Sequence, residues 1–384
     1  MTLKLKSNLR KEGLGLALLL LILSCGGGQT ASRQETGDTV SFKYATQLSV
    51  VRYDGYTVAT LKNPWKPGVT LHRYILVPSG QQMPTDLLEG TVIRTPLSRS
   101  MIFSTVHCAM LMEFGKEDCI SGVADLKYIK IPWIHEQVDA GRMADVGDGL
   151  SPVVEKIIDQ RPDALFLSPF ENSGGYGKLE DIDIPIVECA EYMETTPLGR
   201  AEWLRFYGLL FGCEQKADSL FDAIDKHYNM LKTLATHRPS PTSHPPKVLL
   251  DKITGSVWYV PGGRSTIGQM IQDAGGDYPW AADDHSGSVS LPFENVLEKA
   301  GEADVWLFRY SGNHAITYDE LQSEHHGYNQ FRAFRAHHAY GCNVELSPFY
   351  EETPFHPDWL LNDFIRILHP EISGLDDLRY YFPL

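Results

Sequence analysis

Between Glu214 and His237 the chain reads EQKADSLFDAIDKHYNMLKTLATH, and its apolar residues recur with the period of a helix. Ala217, Leu220, Phe221, Ile224, Tyr228, Leu231 and Ala235 fall on one stripe, while Asp218, Asp222, Asp225, Lys226, Asn229 and Lys232 fill the opposite face. Gly212 offers a break before it. Arg238-Pro239 ends it, because proline lacks the amide that would continue the ladder. At 1.5 Å per residue such a helix is roughly 35 Å long, about the width of a small domain.

On either side, short apolar strands alternate with amphipathic helices. From Val40 to Val77 the pattern is β throughout, in SFKYATQLSVV, YTVATLK and VTLHRYILV, with Asp54-Gly55 as a hairpin turn and Lys66-Pro67-Gly68 as a second break. Then Ser100 to Ser104 reads as a buried strand, and Thr105 to Phe114 as a helix closed by Gly115. Ile120 to Val123 is a strand, Val153 to Gln160 a helix, and Ala164 to Leu167 and Ile184 to Val187 are strands. Leu198 to Phe211 reads as one helix. Past a Pro/Ser/His-rich linker, Lys247 to Leu250 is a strand, Ser265 to Ala274 a helix closed by Gly275-Gly276, Pro292 to Lys299 a helix and Ala303 to Phe308 a strand. The same order occurs twice, so the fold class is α/β: two parallel-sheet lobes bridged by one long helix, with extra N-terminal β strands. The expected boundaries are 40–213 for the first lobe, 214–238 for the bridging helix and 239–384 for the second lobe.

The residues before this scheme belong to export. Lys4, Lys6, Arg10 and Lys11 form a positive n-region, and the apolar run Leu14 to Leu23 is too short for a membrane span of ~20 residues. It ends in Ile22-Leu23-Ser24-Cys25, which resembles a bacterial lipobox, so residues 1–25 are expected to be a lipoprotein signal with Cys25 as the lipidated residue. Residues 26–39, opening on three glycines, would be a flexible tether. The expected location is the periplasm, membrane-anchored only by lipid. With a net charge of −15 over 384 residues, no basic surplus exists to neutralise nucleic-acid phosphates. Removing Cys25 from six cysteines leaves Cys108, Cys119, Cys189, Cys213 and Cys342, none in a CxxC or zinc-like spacing; buried free thiols are expected for most.

Five further segments, in order along residues 95 to 384, carry a resemblance: the Ser100–Ser104 strand with its helix and Gly115; LSPVVEKIIDQRPDALFL; VWYVPGGRSTIGQMIQDAGG; VSLPFENVLEKAGEADVWL; and the tail PFHPDWLLNDFIRILHPEI. With the long helix between the two halves and the segment TTPLGRAEWLRFYGLLFG before it, the chain resembles the TroA-like periplasmic substrate-binding proteins of ABC importers for iron–siderophore, haem and cobalamin. The resemblance implies two Rossmann-like lobes, a metal-chelate ligand between them, and an ABC permease with its ATPase as partner. In that family a glutamate on each lobe's rim pairs with permease arginines; Glu171 and Glu294 fall at those positions.

Ligands of α/β sheets sit beyond the carboxyl ends of strands. That rule nominates Thr105, His107, Phe170 and Tyr176 in the first lobe, and Trp258, Tyr259, Arg264, Arg309, Tyr310, His314 and Tyr350 in the second. An aromatic wall with a few cations suits a flat, partly anionic chelate. The adjacent pairs His325-His326 and His337-His338 do not converge, and no metal site or cofactor is expected. GxSxG, HExxH and the P-loop are absent from the sequence, so a non-enzymatic, monomeric binding protein is expected. The rival readings are an exported tetrapyrrole chelatase on the same two-lobed scaffold, working through histidine and glutamate, and a scavenger without a permease.

Overall fold

The apolar stripe of the bridging helix is buried as its spacing predicts: Ala217, Phe221, Ile224, Tyr228, Leu231 and Ala235 are all shielded, with Leu220 at the margin. The computed structural model describes residues 37–85, 87–171, 175–237 and 244–384, of which Gly37–Leu384 form one compact unit. Cys25, the tether up to residue 36 and the Arg238-Pro239 stop lie outside the described residues. No described helix is long and apolar enough to cross a membrane.

The N-terminal strands β1 (Asp38–Val40), β2 (Leu48–Tyr53), β3 (Tyr56–Lys62), β4 (Thr70–Pro78) and β5 (Thr91–Thr95) form one sheet in chain order, antiparallel except for the β4–β5 pair. Asp54-Gly55 makes the hairpin, with Gly55 at φ 83°. The strand expected from residue 41 begins only at Leu48. Two buried carboxylates explain the difference. Glu202 accepts the amides of Lys43, Tyr44 and Ala45 at 2.8, 2.7 and 2.8 Å, and Glu194 accepts those of Thr46 and Gln47 at 3.0 and 2.8 Å. Those amides are thereby drawn away from a sheet ladder.

The first parallel sheet has strands β6 (Ser100–Ile102), β7 (Ile120–Val123), β8 (Ala144–Asp145), β9 (Ala164–Leu167) and β10 (Ile186–Glu188), ordered β10-β9-β6-β7-β8. Both faces are covered: Ile102 and Phe166 point into the main core, Met101 and Leu165 into a second cluster. Its helices are α1 (Thr105–Phe114), closed by Gly115 in the left-handed region, α2 (Pro132–Asp139) and α3 (Val154–Gln160). The single helix expected over Leu198 to Phe211 is two, α4 (Pro197–Ala201) and α5 (Leu204–Phe211). The break falls at Glu202-Trp203, where the Glu202 carboxylate is bound by the loop amides and the Trp203 indole N–H donates to Glu194 at 3.0 Å.

The bridging helix α6 (Glu214–Thr236) packs closely on α5: a Cβ at Gly208 would lie 2.5 Å from that of Ala217. The second lobe follows with β11 (Val248–Leu250), β12 (Ile253–Thr254), β13 (Val257–Pro261), α7 (Thr266–Asp273), β14 (Ser288–Leu291), α8 (Phe293–Ala300) and β15 (Val305–Tyr310). It closes with α9 (Tyr318–Glu324), α10 (Arg332–Arg335), β16 (Ala339–Asn343), α11 (Phe349–Glu352), α12 (Pro357–Leu368) and β17 (Phe382–Pro383). Its main sheet runs β11-β15-β16-β17, parallel except for β17, and β12-β13-β14 form a small antiparallel sheet. Side chains tie α6 to this lobe: Tyr228 donates to Asp273 at 2.7 Å, Lys232 pairs with Asp273 at 2.8 Å and His227 lies 2.8 Å from Asp358.

Candidate functional site

The carboxyl ends of β6 and β15 bring residues of both lobes to one cavity of about 370 Å³. The first lobe contributes Ser104, Thr105 and Val106 from the start of α1, with Pro197 and Arg200 from α4. The second contributes Thr266, Ile267 and Met270 of α7, Arg309 from the end of β15, and Phe349 and Tyr350 of α11. Thr105, Arg309 and Tyr350 are the nominated residues brought together here.

The other nominated residues lie elsewhere. Phe170 and Tyr176 line a first-lobe cavity of about 780 Å³, and Tyr310 lines a second-lobe cavity of about 400 Å³. Tyr259 and Arg264 are exposed and line none of these three cavities. His314 is exposed and lies 2.8 Å from Glu320. Trp258 is a correction: its indole is fully buried, donates to the Leu250 carbonyl at 2.9 Å and packs against Trp306 and Phe331, so it is a core residue. A strand, β13, replaces the expected loop there, and the alternation of β13 turns Trp258 inward and Tyr259 outward. Glu171 and Glu294 are both exposed, Glu294 in the first turn of α8.

His107 also lies inside, 1% exposed, as part of a network beneath the cavity wall. Its Nε2 is 3.1 Å from the Tyr207 hydroxyl and 3.5 Å from Glu191, and Tyr207 donates to Glu191 at 2.8 Å. Burial alone would raise the Glu191 carboxyl, but His107, Arg200 and Tyr207 together hold it down at about 2. His107, Cys189 and Glu191 place their ligand atoms within 4.8 Å of one another, a donor set suited to zinc. The Glu191 charge is already met by the Tyr207 hydrogen bond and the fields of His107 and Arg200.

Two guanidiniums on the wall differ in their commitments. Arg309 is held bidentately by Asp251 at 3.0 and 2.7 Å; Asp251 itself sits at φ 57° directly after β11. Arg200 makes no side-chain hydrogen bond and no ion pair within 4.0 Å among the described residues, and its Nε is shielded from solvent without a partner. Burial pulls the Arg200 pKa down, against the field of Glu191. Sequence reasoning misses Arg200 because Leu198 to Phe211 reads simply as one helix; the signal is a lone cation inside the apolar run Pro197–Ala201.

The lobes are also joined beside the cavity. The buried carboxylate of Glu351 accepts from the Thr105 hydroxyl at 2.9 Å and the Lys130 amide at 3.1 Å, and Lys130 pairs with Glu345 at 2.6 Å. His356 lies 2.8 Å from Glu113 of α1. Burial pulls its pKa down, but the carboxylates of Asp358, 3.7 Å away, and of Glu113 outweigh this and lift it from 6.5 to about 9. A raised histidine stabilises the fold fully below its ordinary pKa, and that contribution is lost as pH rises through the shifted one. The melting temperature is therefore expected to fall between pH 6.5 and about 9, and this slope to flatten in His356→Gln. An unchanged slope in the variant would show that the pair does not link protonation to folding.

Two parallel-sheet lobes, one bridging helix and a cavity walled by both lobes define a two-lobed binding protein. The chain belongs to the periplasmic binding protein family, which residues 110–346 match. Over 361 residues it is 27% identical to an uncharacterised lipoprotein of Methanocaldococcus jannaschii, covering 88% of this chain and 84% of that one. Among solved structures, a periplasmic haem-binding protein of Pseudomonas aeruginosa matches with a TM-score of 0.56 at 15% identity, over 74% of this chain and 96% of that one. The molybdate-binding protein MolA of Haemophilus influenzae matches with a TM-score of 0.56 at 16% identity, over 73% and 88%. These structural likenesses establish the shared fold.

Proposed function

We propose that the protein is a lipid-anchored solute-binding protein of an ABC importer, which captures a metal chelate of siderophore, haem or corrinoid type between its lobes and hands it to the permease. The observation that carries this reading is the cavity whose wall is drawn from the carboxyl ends of both lobes' sheets, in a chain of the periplasmic binding protein family. Arg200, Phe349 and Tyr350 give that wall the cationic and aromatic character such a chelate matches. In this reading Cys25 carries the lipid, the stretch after it tethers the domain up to β1, where Asp38 and Thr39 of the expected 26–39 tether are already paired with β2, and the protein works as a monomer without turnover. The lipoprotein name of the relative supports the anchor. Glu171 and Glu294 dock on arginines of a permease driven by its ATPase.

Isothermal titration of the purified protein with ferric siderophores, haem and cobalamin tests the reading. One saturable, stoichiometric chelate is the expected result. No binding across that panel, or catalytic insertion of metal into free porphyrin, would overturn it.

A further inference from the structure

We infer that Arg200 is the anion-binding group of the interlobe cavity, and that the cargo carries a carboxylate or oxoanion seated against it. This rests on the solute-binding reading above and narrows its ligand class. Arg200 is placed by a short rigid element: Thr196 caps α4, its hydroxyl accepting from the Gly199 amide at 3.0 Å, and Pro197 fixes the first helical position. The guanidinium is charged at any physiological pH and presents five donors in a fixed fork. Among the described residues none of those donors has a hydrogen-bond acceptor, and the shielded Nε cannot turn to water instead. Buried donors left in this state are rare in folded proteins, and where they occur they ask for a missing partner.

The neighbouring groups do not supply that partner. Glu191 attracts Arg200 through space, but one of its oxygens is taken by Tyr207 and the other faces His107. Arg309, across the cavity, is spent on Asp251. A second feature favours negative charge at the same place. Ser104, Thr105 and Val106 line the cavity at the start of the ten-residue helix α1, and Ser104 gives that terminus no side-chain cap. The Thr105 and Val106 amides at this end have no intrahelical acceptor and the helix dipole makes it positive, beside the Glu351 carboxylate that accepts from the Thr105 hydroxyl at 2.9 Å. A planar carboxylate meets the fork with two parallel hydrogen bonds, a geometry a neutral amide or hydroxyl cannot reproduce.

The test compares wild type, Arg200→Met and the exposed control Arg52→Met, on β2 and away from the three cavities. Calorimetric titration with haem and ferric citrate, which carry carboxylates, is set against a charge-neutral ferric trihydroxamate. Loss of a charge-assisted hydrogen-bonding group is expected to weaken the carboxylate-bearing chelate that wild type binds by about 10–100-fold. Arg52→Met stays within about twofold, since an exposed cation off the site contributes little. One further readout needs no chelate. Citrate alone is expected to raise the melting temperature of wild type and not of Arg200→Met. Unchanged carboxylate-chelate affinity in Arg200→Met, or a preference of wild type for the neutral trihydroxamate, would overturn the inference. If no chelate binds at all, the solute-binding reading fails; a citrate-induced rise in melting temperature that persists in Arg200→Met would separately sink the role of Arg200.

Discussion

Glu202→Ala is expected to lower the stability of the folded protein by about 3–5 kcal/mol, the scale of removing one partner from a buried charged network. The carboxylate is fully shielded and accepts three consecutive amides, from Lys43, Tyr44 and Ala45, none longer than 2.8 Å. Alanine leaves those amides without an acceptor; that of the buried Ala45 is shielded from water and those of Lys43 and Tyr44 partly so, and an orphaned buried donor costs roughly 1–3 kcal/mol. The loss propagates beyond the loop. Next to it, Tyr44 donates to Asp225 of α6 at 2.7 Å and Lys43 pairs with the same carboxylate at 2.8 Å, so freeing residues 43–45 also loosens the N-terminal sheet from the bridging helix. Glu202→Gln keeps one acceptor oxygen and is expected to lose less. Urea denaturation midpoints at constant slope measure the difference. A loss below about 1 kcal/mol for alanine would mean that water satisfies the freed amides.

Charge reversal at both rim glutamates, Glu171→Lys with Glu294→Lys, is expected to abolish uptake of the cargo in cells while leaving its affinity for the purified protein within about twofold. Both side chains are exposed, and neither lines the interlobe cavity. A single rim pair is worth only about 0–1 kcal/mol, so removing one carboxylate has a small effect. Reversal acts differently, since like charges brought together across an interface cost several kcal/mol. Glu294 stands in the first turn of α8, where a lysine opposes the helix dipole at a cost of about 0.3–1 kcal/mol, too little to unfold the lobe. Uptake assayed beside calorimetric affinity separates docking from capture. Normal uptake by the double variant would remove these two residues from the permease contact.

The repeated strand–helix order and the bridging helix were legible because each rests on local periodicity: the buried positions of α6, from Ala217 to Ala235, fall on the apolar stripe. Glycine-closed helices were legible for the same reason, as Gly115 shows at φ 67°. What was hidden depends on partners distant in sequence. Nothing within Phe42 to Gln47 reveals that carboxylates about 150 residues away claim their amides, and the β-like composition therefore misled. Trp258 was nominated by strand polarity, but whether a residue near a strand end faces ligand or core depends on a pairing between β13 and β14 that the local pattern does not carry. The cavity was legible only in part. Thr105 and Arg309 follow from the strand-end rule, whereas Arg200 and Ile267 enter from helices α4 and α7, which reach the cavity by packing across the lobes.

The central claim is that cargo sits between the lobes, and its position is measured most directly by anomalous diffraction at the metal's absorption edge. Crystals would be grown with whichever chelate of the titration panel binds stoichiometrically. The account predicts one strong peak in the cavity between the start of α1 and α7, within reach of Arg200, Arg309 and Tyr350. A peak in the first-lobe cavity beside Phe170 and Tyr176, or on the outer surface, would contradict it.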